Sequence, residues 1–204
     1  MSEAPPKRAL RLIWATIAWN IPEALISIGL GIAAGSLALI GFGADSVIEV
    51  FASLVMVWHF LPGEHLGHAH RTRTALRLLA MTFLALAVAL TAAGISDLVG
   101  NRRAEESPWG IAYIAVTVLV MFGLGIAKRR VADRIDSAPL RSEAAMSILD
   151  GFLAASTLLG LVLNAVAGWW WADPAAALVV AVFAAHEAWE NWEESEEYGG
   201  SHDH

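Results

Sequence analysis

The sequence predicts an all-α membrane protein: six transmembrane helices with both termini in the cytoplasm. Three observations carry that expectation. Of 204 residues, 57% are hydrophobic and only 16% charged, where a soluble domain carries about 25% charged residues. With a mean hydropathy of +0.56, the apolar surface exceeds what one soluble core of this size can hold. Six apolar segments then follow one another, each near or above the ~20 residues that a spanning helix needs. Finally, all the lysines and arginines except Arg102 and Arg103 lie in the N-terminus, in 62–77 or in 128–141. By the positive-inside rule those three regions face the cytoplasm.

The segments are placed at about 9–33, 37–61, 75–99, 108–127, 143–168 and 172–192. AAGS (33–36) reads as a tight turn between the first two. PGEHLGHAHRTRT (62–74) is a polar loop opened by Pro62, and NRRAEESP (101–108) is a second polar break. KRRVADRIDSAPLR (128–141) is a basic loop, and WWWADP (169–174) an aromatic turn. Trp109 and Trp169 to Trp171 mark the outer interface; Trp14, Trp58, Trp189 and Trp192 mark the inner one. Residues 1–193 form one six-helix transmembrane domain, and 194–204 a short acidic, His-containing tail. The runs are too long and too continuously apolar for strands of a membrane barrel. Lys7, Arg8 and Arg11 ahead of an apolar run also suggest a secretory signal. The run is longer than the 7–15 residues of a signal core, however, and Glu23 interrupts it.

Composition excludes several functions. There is no cysteine, so neither disulfides nor thiolate metal sites are available. The net charge of −7 comes largely from glutamates near the C-terminus, which an ordinary solvated helix end explains. No basic, aromatic-interleaved patch suggests nucleic acid, and no G-x-x-x-x-G-K-[ST] phosphate loop suggests a nucleotide motor. Enzymatic activity and a resident cofactor are not expected.

The informative feature is acid in an apolar setting. In FGADSVIEVF (42–51), Asp45 and Glu49 stand one helical turn apart on one face. Glu23 lies as far before the 33–36 turn as Asp45 lies after it, and Asn20 matches Glu49 in the same way. At ~1.5 Å per residue these groups sit roughly 15–20 Å below the outer surface, near mid-bilayer. Segment 5 adds Asp150. An ionised group costs ~3 kcal/mol at a helix centre, so four uncompensated acids would cost on the order of 10 kcal/mol, a whole protein's stability. No Lys or Arg in the central spans is placed to pair with them. They must therefore hold protons, a divalent cation, or exchange one for the other. Asp45 and Glu49 cannot readily both be ionised without a cation between them. Pro22, inside segment 1, frees the carbonyl of Ala18 beside Asn20 and Glu23, or merely kinks the helix for packing. Gly31 and Gly35, with Gly41 and Gly43 across the turn, suit close helix contact. Asp97 reads as a helix-end polar contact, and His59 and His186 as interfacial residues; His202 and His204 flank Asp203 at the C-terminus.

AGSLALIGFGADSVIEVFAS on segment 2, SEAAMSILDGFLAA on segment 5 and GWWWADPAAALVVA leading into segment 6 resemble the transmembrane domain of the cation diffusion facilitators. The resemblance covers nearly the whole chain. It implies a homodimeric exporter of divalent transition metals, typically Zn2+, driven by protons, in the inner (cytoplasmic) membrane. The family's metal site takes two residues from segment 2 and two from segment 5, four apart. Carried over, these are Asp45, Glu49, Met146 and Asp150. The family usually has His or Asp where Met146 stands. A thioether is a soft, weak ligand, so Met146 is read as filler, with Glu23 and Asn20 as replacements. In similar members the loop after segment 2 carries an accessory metal site, which here maps to Glu64, His65, His68 and His70. The family's usual ferredoxin-like C-terminal domain has no counterpart, since about a dozen residues follow segment 6; the expectation is a short member or a shortened chain.

Oxygen-rich ligation suits Mn2+ or Fe2+ as well as Zn2+. Three rival readings stand beside the exporter. A di-iron enzyme would use Glu-x-x-His pairs, which the central spans lack. A passive divalent cation channel would use rings of like residues. A non-transporting metal-binding membrane protein would bind the metal without flux.

Overall fold

The computed structural model describes residues 7–34, 37–61, 68–100 and 108–200. Among the described residues there are six α-helices and no strand: α1 (Lys7–Ala34), α2 (Leu37–Phe60), α3 (His68–Gly100), α4 (Pro108–Ile135), α5 (Ala138–Ala167) and α6 (Ala172–Gly200). Four of them contain stretches long and apolar enough to cross a membrane among the described residues: Lys7–Gly29, Gly43–Phe60, Ala69–Gly100 and Ala112–Ile135. The α5 and α6 helices pack between and beside these, at 30 and 29 residues.

The radial distribution of polarity is the reverse of a soluble protein's. Leu25, Leu84, Val88, Leu119, Phe152, Val182 and Phe183 point outward. Thr16, Asn20, Glu23, Glu49, Ser53, Lys128, Glu143 and Ser147 are buried. Charged side chains almost never lie fully inside unless paired. A bundle with apolar faces outward and ionisable groups inward is built for lipid.

The helices run past the apolar segments at their predicted cytoplasmic ends. Hydropathy marks where lipid begins, but helical hydrogen bonding continues into water when the residues allow it. The α3 helix starts at His68 rather than near 75, with Thr74 Oγ1 donating to the His70 carbonyl at 2.9 Å. Residues 128–135, expected as loop, complete α4, and α5 begins at Ala138. The connection shrinks to Asp136 and Ser137. Asp136 is left-handed at φ 48°, and the Ser137 amide returns to the Ala132 carbonyl at 3.1 Å, closing a Schellman-type helix end. Ser137 Oγ then accepts from the Leu140 amide at 3.4 Å, capping α5. Arg141 holds this corner through Asp133 at 3.2 Å and Asp136 at 3.6 Å. The residues of the expected tail that are described, 194–200, extend α6. Burial pushes the Glu194 carboxyl above its ordinary range there, with Arg141 opposing. At α2's C-terminus, Arg71 from α3 donates to the carbonyls of Leu61 and Trp58, the second of which also accepts from the Leu61 amide at 3.3 Å.

The closest helix pairs are α3 with α6, α1 with α2, and α4 with α5. The apolar core joins them through Ile13, Met56, Leu79, Phe83, Leu140, Leu149 and Val180. Of the expected small-residue contacts, Gly43 is one: a Cβ there would lie 2.6 Å from Ile28 Cγ1 and 3.1 Å from the Ala24 carbonyl oxygen. Gly125 plays the same part between α4 and α5, against Ile148 Cγ1 at 2.6 Å and the Ala144 carbonyl oxygen at 3.2 Å. The side chains around Gly31, Gly35 and Gly41 lie outside the described residues.

These approaches set a stability order. Gly43→Ala and Gly125→Ala should each cost about 1–3 kcal/mol by overpacking. Gly29→Ala, with nothing within 4 Å of the new Cβ, should gain up to about 1 kcal/mol from helix propensity. Thermal unfolding in detergent reads all three; equal melting temperatures would show that the close approaches are not needed.

Candidate functional site

Three helices each present one polar stripe to the bundle interior. On α1 it is Thr16, Asn20, Glu23 and Ser27, at spacings of four, three and four. On α2 it is Asp45, Ser46, Glu49 and Ser53; on α5, Glu143, Ser147 and Asp150. The three- and four-residue spacing keeps each set on one helix face. The α4 helix adds Lys128, which is buried, and Tyr113, which is exposed.

Between α2 and α5 the stripes meet as a ladder with one rung per helical turn. Asp45 and Asp150 stand next to each other at the top. Ser147 Oγ donates to Glu49 Oε1 in the middle. Ser53 Oγ donates to Glu143 Oε1 at 2.7 Å at the bottom. From α1, Asn20 Nδ2 donates to Glu49 Oε2 at 3.0 Å and to the Thr16 carbonyl at 3.1 Å. Glu23 accepts from Tyr113 Oη of α4 at 2.7 Å and from Ser46 of α2. The Tyr113 ring stacks on Trp19, centroids 6.3 Å apart and planes at 9°.

Lys128 corrects one expectation. The sequence places it in a cytoplasmic loop and gives the acids no basic partner. Because α4 continues to Ile135, its side chain enters the bundle and is 0% exposed, as is that of Glu143. Nζ donates to Glu143 Oε1 at 2.8 Å, Ser147 Oγ at 2.6 Å and Thr16 Oγ1 at 3.1 Å. That uses all three donors of an ammonium group. Among the described residues, the buried side-chain acceptors without a hydrogen-bond partner include two of this cluster, Asn20 Oδ1 and Glu143 Oε2.

The expected ligands are therefore neighbours, though among the described residues no three His, Asp or Glu side chains converge tightly enough to hold one metal ion. Asp45 pairs with Asp150, Glu49 with a hydroxyl and an amide, and Glu23 with a phenol. Met146 is buried in the apolar core. Glu64 and His65, like His202 and His204, lie outside the described residues. His68 opens α3, and His70 is exposed one turn in, so neither belongs to a loop. His186 is exposed and pairs with Glu190 at 3.1 Å. His59 is buried edge-on to Phe60, and Asp97 is half-buried near the end of α3. A groove of about 550 Å³ between α1 and α4, walled by Ala15, Ala18, Trp19, Leu119 and Gly123, is lined by none of these acids.

Sequence reasoning passed over Lys128, Glu143, Ser147, Ser53, Thr16 and Tyr113. The depth count that paired Glu23 with Asp45 would have paired Lys128 with Glu143, had the α4–α5 turn been placed at 136–137 rather than spread over 128–141. The hydroxyls carried the same four-residue spacing as the acids but are too common in membrane helices to stand out.

The model of the cation efflux transmembrane domain matches residues 67–195. The chain belongs to the cation efflux family. The match takes in α3, α4, α5 and most of α6; α1 and α2, with Asn20, Glu23, Asp45 and Glu49, lie outside it. Among curated relatives, the cation-efflux pump FieF of Shewanella oneidensis is 24% identical over 163 residues, 76% of this chain and 55% of that protein. Transmembrane protein 163 of Xenopus laevis is 23% identical over 153 residues, 75% of this chain and 54% of that one. The chain thus spans about half the length of these relatives.

The Asn20–Glu49 contact ties α1 to α2 and is testable alone. Asn20→Leu should destabilise by about 1–3 kcal/mol, since a buried carboxylate loses a donor. In a Glu49→Gln background the same change should cost less. A double-mutant cycle by thermal unfolding should give a coupling of about 0.5–3 kcal/mol; strictly additive effects would show that the contact contributes nothing.

Proposed function

We propose that this cation efflux protein exports divalent transition-metal cations, Zn2+ foremost and Mn2+ or Fe2+ as alternatives, in exchange for protons. Asp45, Glu49 and Asp150 bind the cation, with Glu23 and Asn20 contributing, and Met146 stays outside the ligand set. The protein works as a homodimer in the cytoplasmic membrane, with residues 1–193 as the transport unit and the metal as cargo rather than cofactor. Glu64, His65, His68 and His70 form an accessory site on the cytoplasmic side.

The observation that carries this reading is the Asp45–Asp150 contact inside a lipid-facing bundle. An ionised carboxylate only accepts hydrogen bonds, so two adjacent carboxyls share a proton. A divalent cation favours both charged forms and displaces that proton. Cation binding from the cytoplasm then expels a proton, and a proton returning from outside expels the cation. The rival channel needs no such coupling, which makes coupling the test.

In proteoliposomes carrying an internal pH dye, an imposed pH gradient should drive uptake of at least one of Zn2+, Mn2+ and Fe2+, and cation added without a gradient should move protons the opposite way. Asp45→Ala, Glu49→Ala and Asp150→Ala should each abolish flux in folded protein, Glu23→Ala should reduce it strongly, and Met146→Ala should reduce it little. Flux indifferent to the gradient would favour a passive channel; binding without flux would favour a non-transporting metal-binding protein. If Met146→Ala is as damaging as Asp150→Ala, the thioether is a ligand and a softer metal is the cargo.

Orientation is tested separately. A reporter active only in the periplasm, fused after His204, should stay silent if both termini are cytoplasmic. Strong activity would reverse the assignment of inside and outside.

A further inference from the structure

We infer that Lys128 is a tethered competitor for the transported cation: its ammonium stands beside the acid ladder as a fixed positive charge that keeps cargo affinity low enough for release. The inference rests on the transport reading above and adds a residue and a role that the reading does not contain.

Three observations support it. The ammonium is wholly buried, and each of its donors is used on a different group, Thr16 on α1 and Glu143 and Ser147 on α5. The charge is therefore held at one point rather than swinging to solvent. That point lies one hydroxyl away from Glu49, because Ser147 Oγ accepts from Lys128 and donates to Glu49. Two hydrogen-bond lengths put the ammonium roughly 5 Å from a Glu49 oxygen, and a cation bound at Glu49 would feel it strongly. Lastly, Glu143 Oε2 is a buried acceptor without a partner among the described residues. Lys128 thus balances the charge of Glu143 while one carboxylate oxygen stays open.

The physical need is clear from the setting. Buried carboxylates at low dielectric bind a divalent ion tightly, and a transporter must also let go. A resident monovalent cation that cannot leave lowers the net charge of the site by one. It leaves attraction of a divalent ion to the acids around it and keeps that ion from being trapped. Without Lys128, the cargo would meet Glu49 and Glu143 uncompensated.

The test is the affinity of the purified full-length chain for Zn2+ and Mn2+ by calorimetry in detergent, with turnover in proteoliposomes as a second readout. Lys128→Gln should bind cation more tightly, by on the order of a hundredfold, the scale of one unit charge about 5 Å away at an effective dielectric of about 20. Its turnover should fall, because release slows. Glu143→Gln, which leaves the ammonium uncompensated, should shift affinity in the opposite direction. Lys128→Arg keeps the charge while disturbing packing more, and should bind like the wild type. A role in folding alone would weaken binding in all three. Should Lys128→Gln fail to fold, the other two decide: weaker binding in Glu143→Gln with near-normal binding in Lys128→Arg supports the competitor. Unchanged or weaker binding in folded Lys128→Gln, or loss of binding in folded Lys128→Arg, overturns it. A wild-type chain that binds no divalent cation would overturn the transport reading itself, and the competitor with it.

Discussion

The Lys128–Glu143 ion pair is the contact on which the interior depends. Taking two charges out of water costs several kcal/mol per ion, which is recovered only with good geometry and full hydrogen bonding. The structure meets that demand on the lysine side with bonds to α1 and α5. Ser53 of α2 adds a donor to Glu143. One pair thus fixes the relative depth of α1, α2, α4 and α5. The two-residue turn at Asp136 and Ser137 brings Lys128 and Glu143 level. Were α5 rotated by one residue, about 100°, its three polar positions would leave the interior together.

The six helices divide by what holds them. The polar stripes run on α1, α2 and α5, and α4 adds Lys128. The remaining pair, α3 and α6, packs mainly by apolar contact, with Leu79, Phe83 and Leu86 of α3 and Val180, Ala181 and Ala184 of α6 in the shared core. Its polar ties include Arg77, which reaches Ser195 at 3.4 Å and lies 5.2 Å over the Trp192 ring. A hydrophobic pair is non-directional, whereas each rung of the ladder demands one register. The specificity of the bundle therefore sits in the four polar helices, and α3 with α6 supplies apolar bulk around them.

This division explains what was legible in the sequence. The six helices were legible because length and hydropathy are set by the bilayer, which acts on every spanning residue alike. Asp45, Glu49, Asp150, Glu23 and Asn20 were legible because acids and amides in apolar runs are costly and stand out. The helix ends were not, since residues 68–74, 128–135 and 194–200 are polar whether helical or not, and hydropathy is silent on the difference. That single error hid Lys128: once counted as loop, it was lost as a partner, and Glu143 and Ser147 lost their meaning with it. The convergence of stripes from different helices is a tertiary fact that no spacing within one segment contains.

The ladder also separates two kinds of competition. Its middle and lower rungs, Ser147 to Glu49 and Ser53 to Glu143, are complete with the carboxylate ionised, because hydroxyls supply the donors. Its top rung, Asp45 with Asp150, brings two acids together, and under the proposed exchange they hold a proton between them. A cation reaching Glu49 must displace neutral donors and endure the ammonium, and the donor exchange consumes no protons. A cation reaching Asp45 and Asp150 must displace a proton, which ties its binding to pH. The two positions are one turn apart, about 6 Å along the axis. Under the proposed exchange, coupling to protons belongs to the top rung and the tuning of affinity to the middle one, so the two properties are open to separate alteration by substitutions on the same pair of helices.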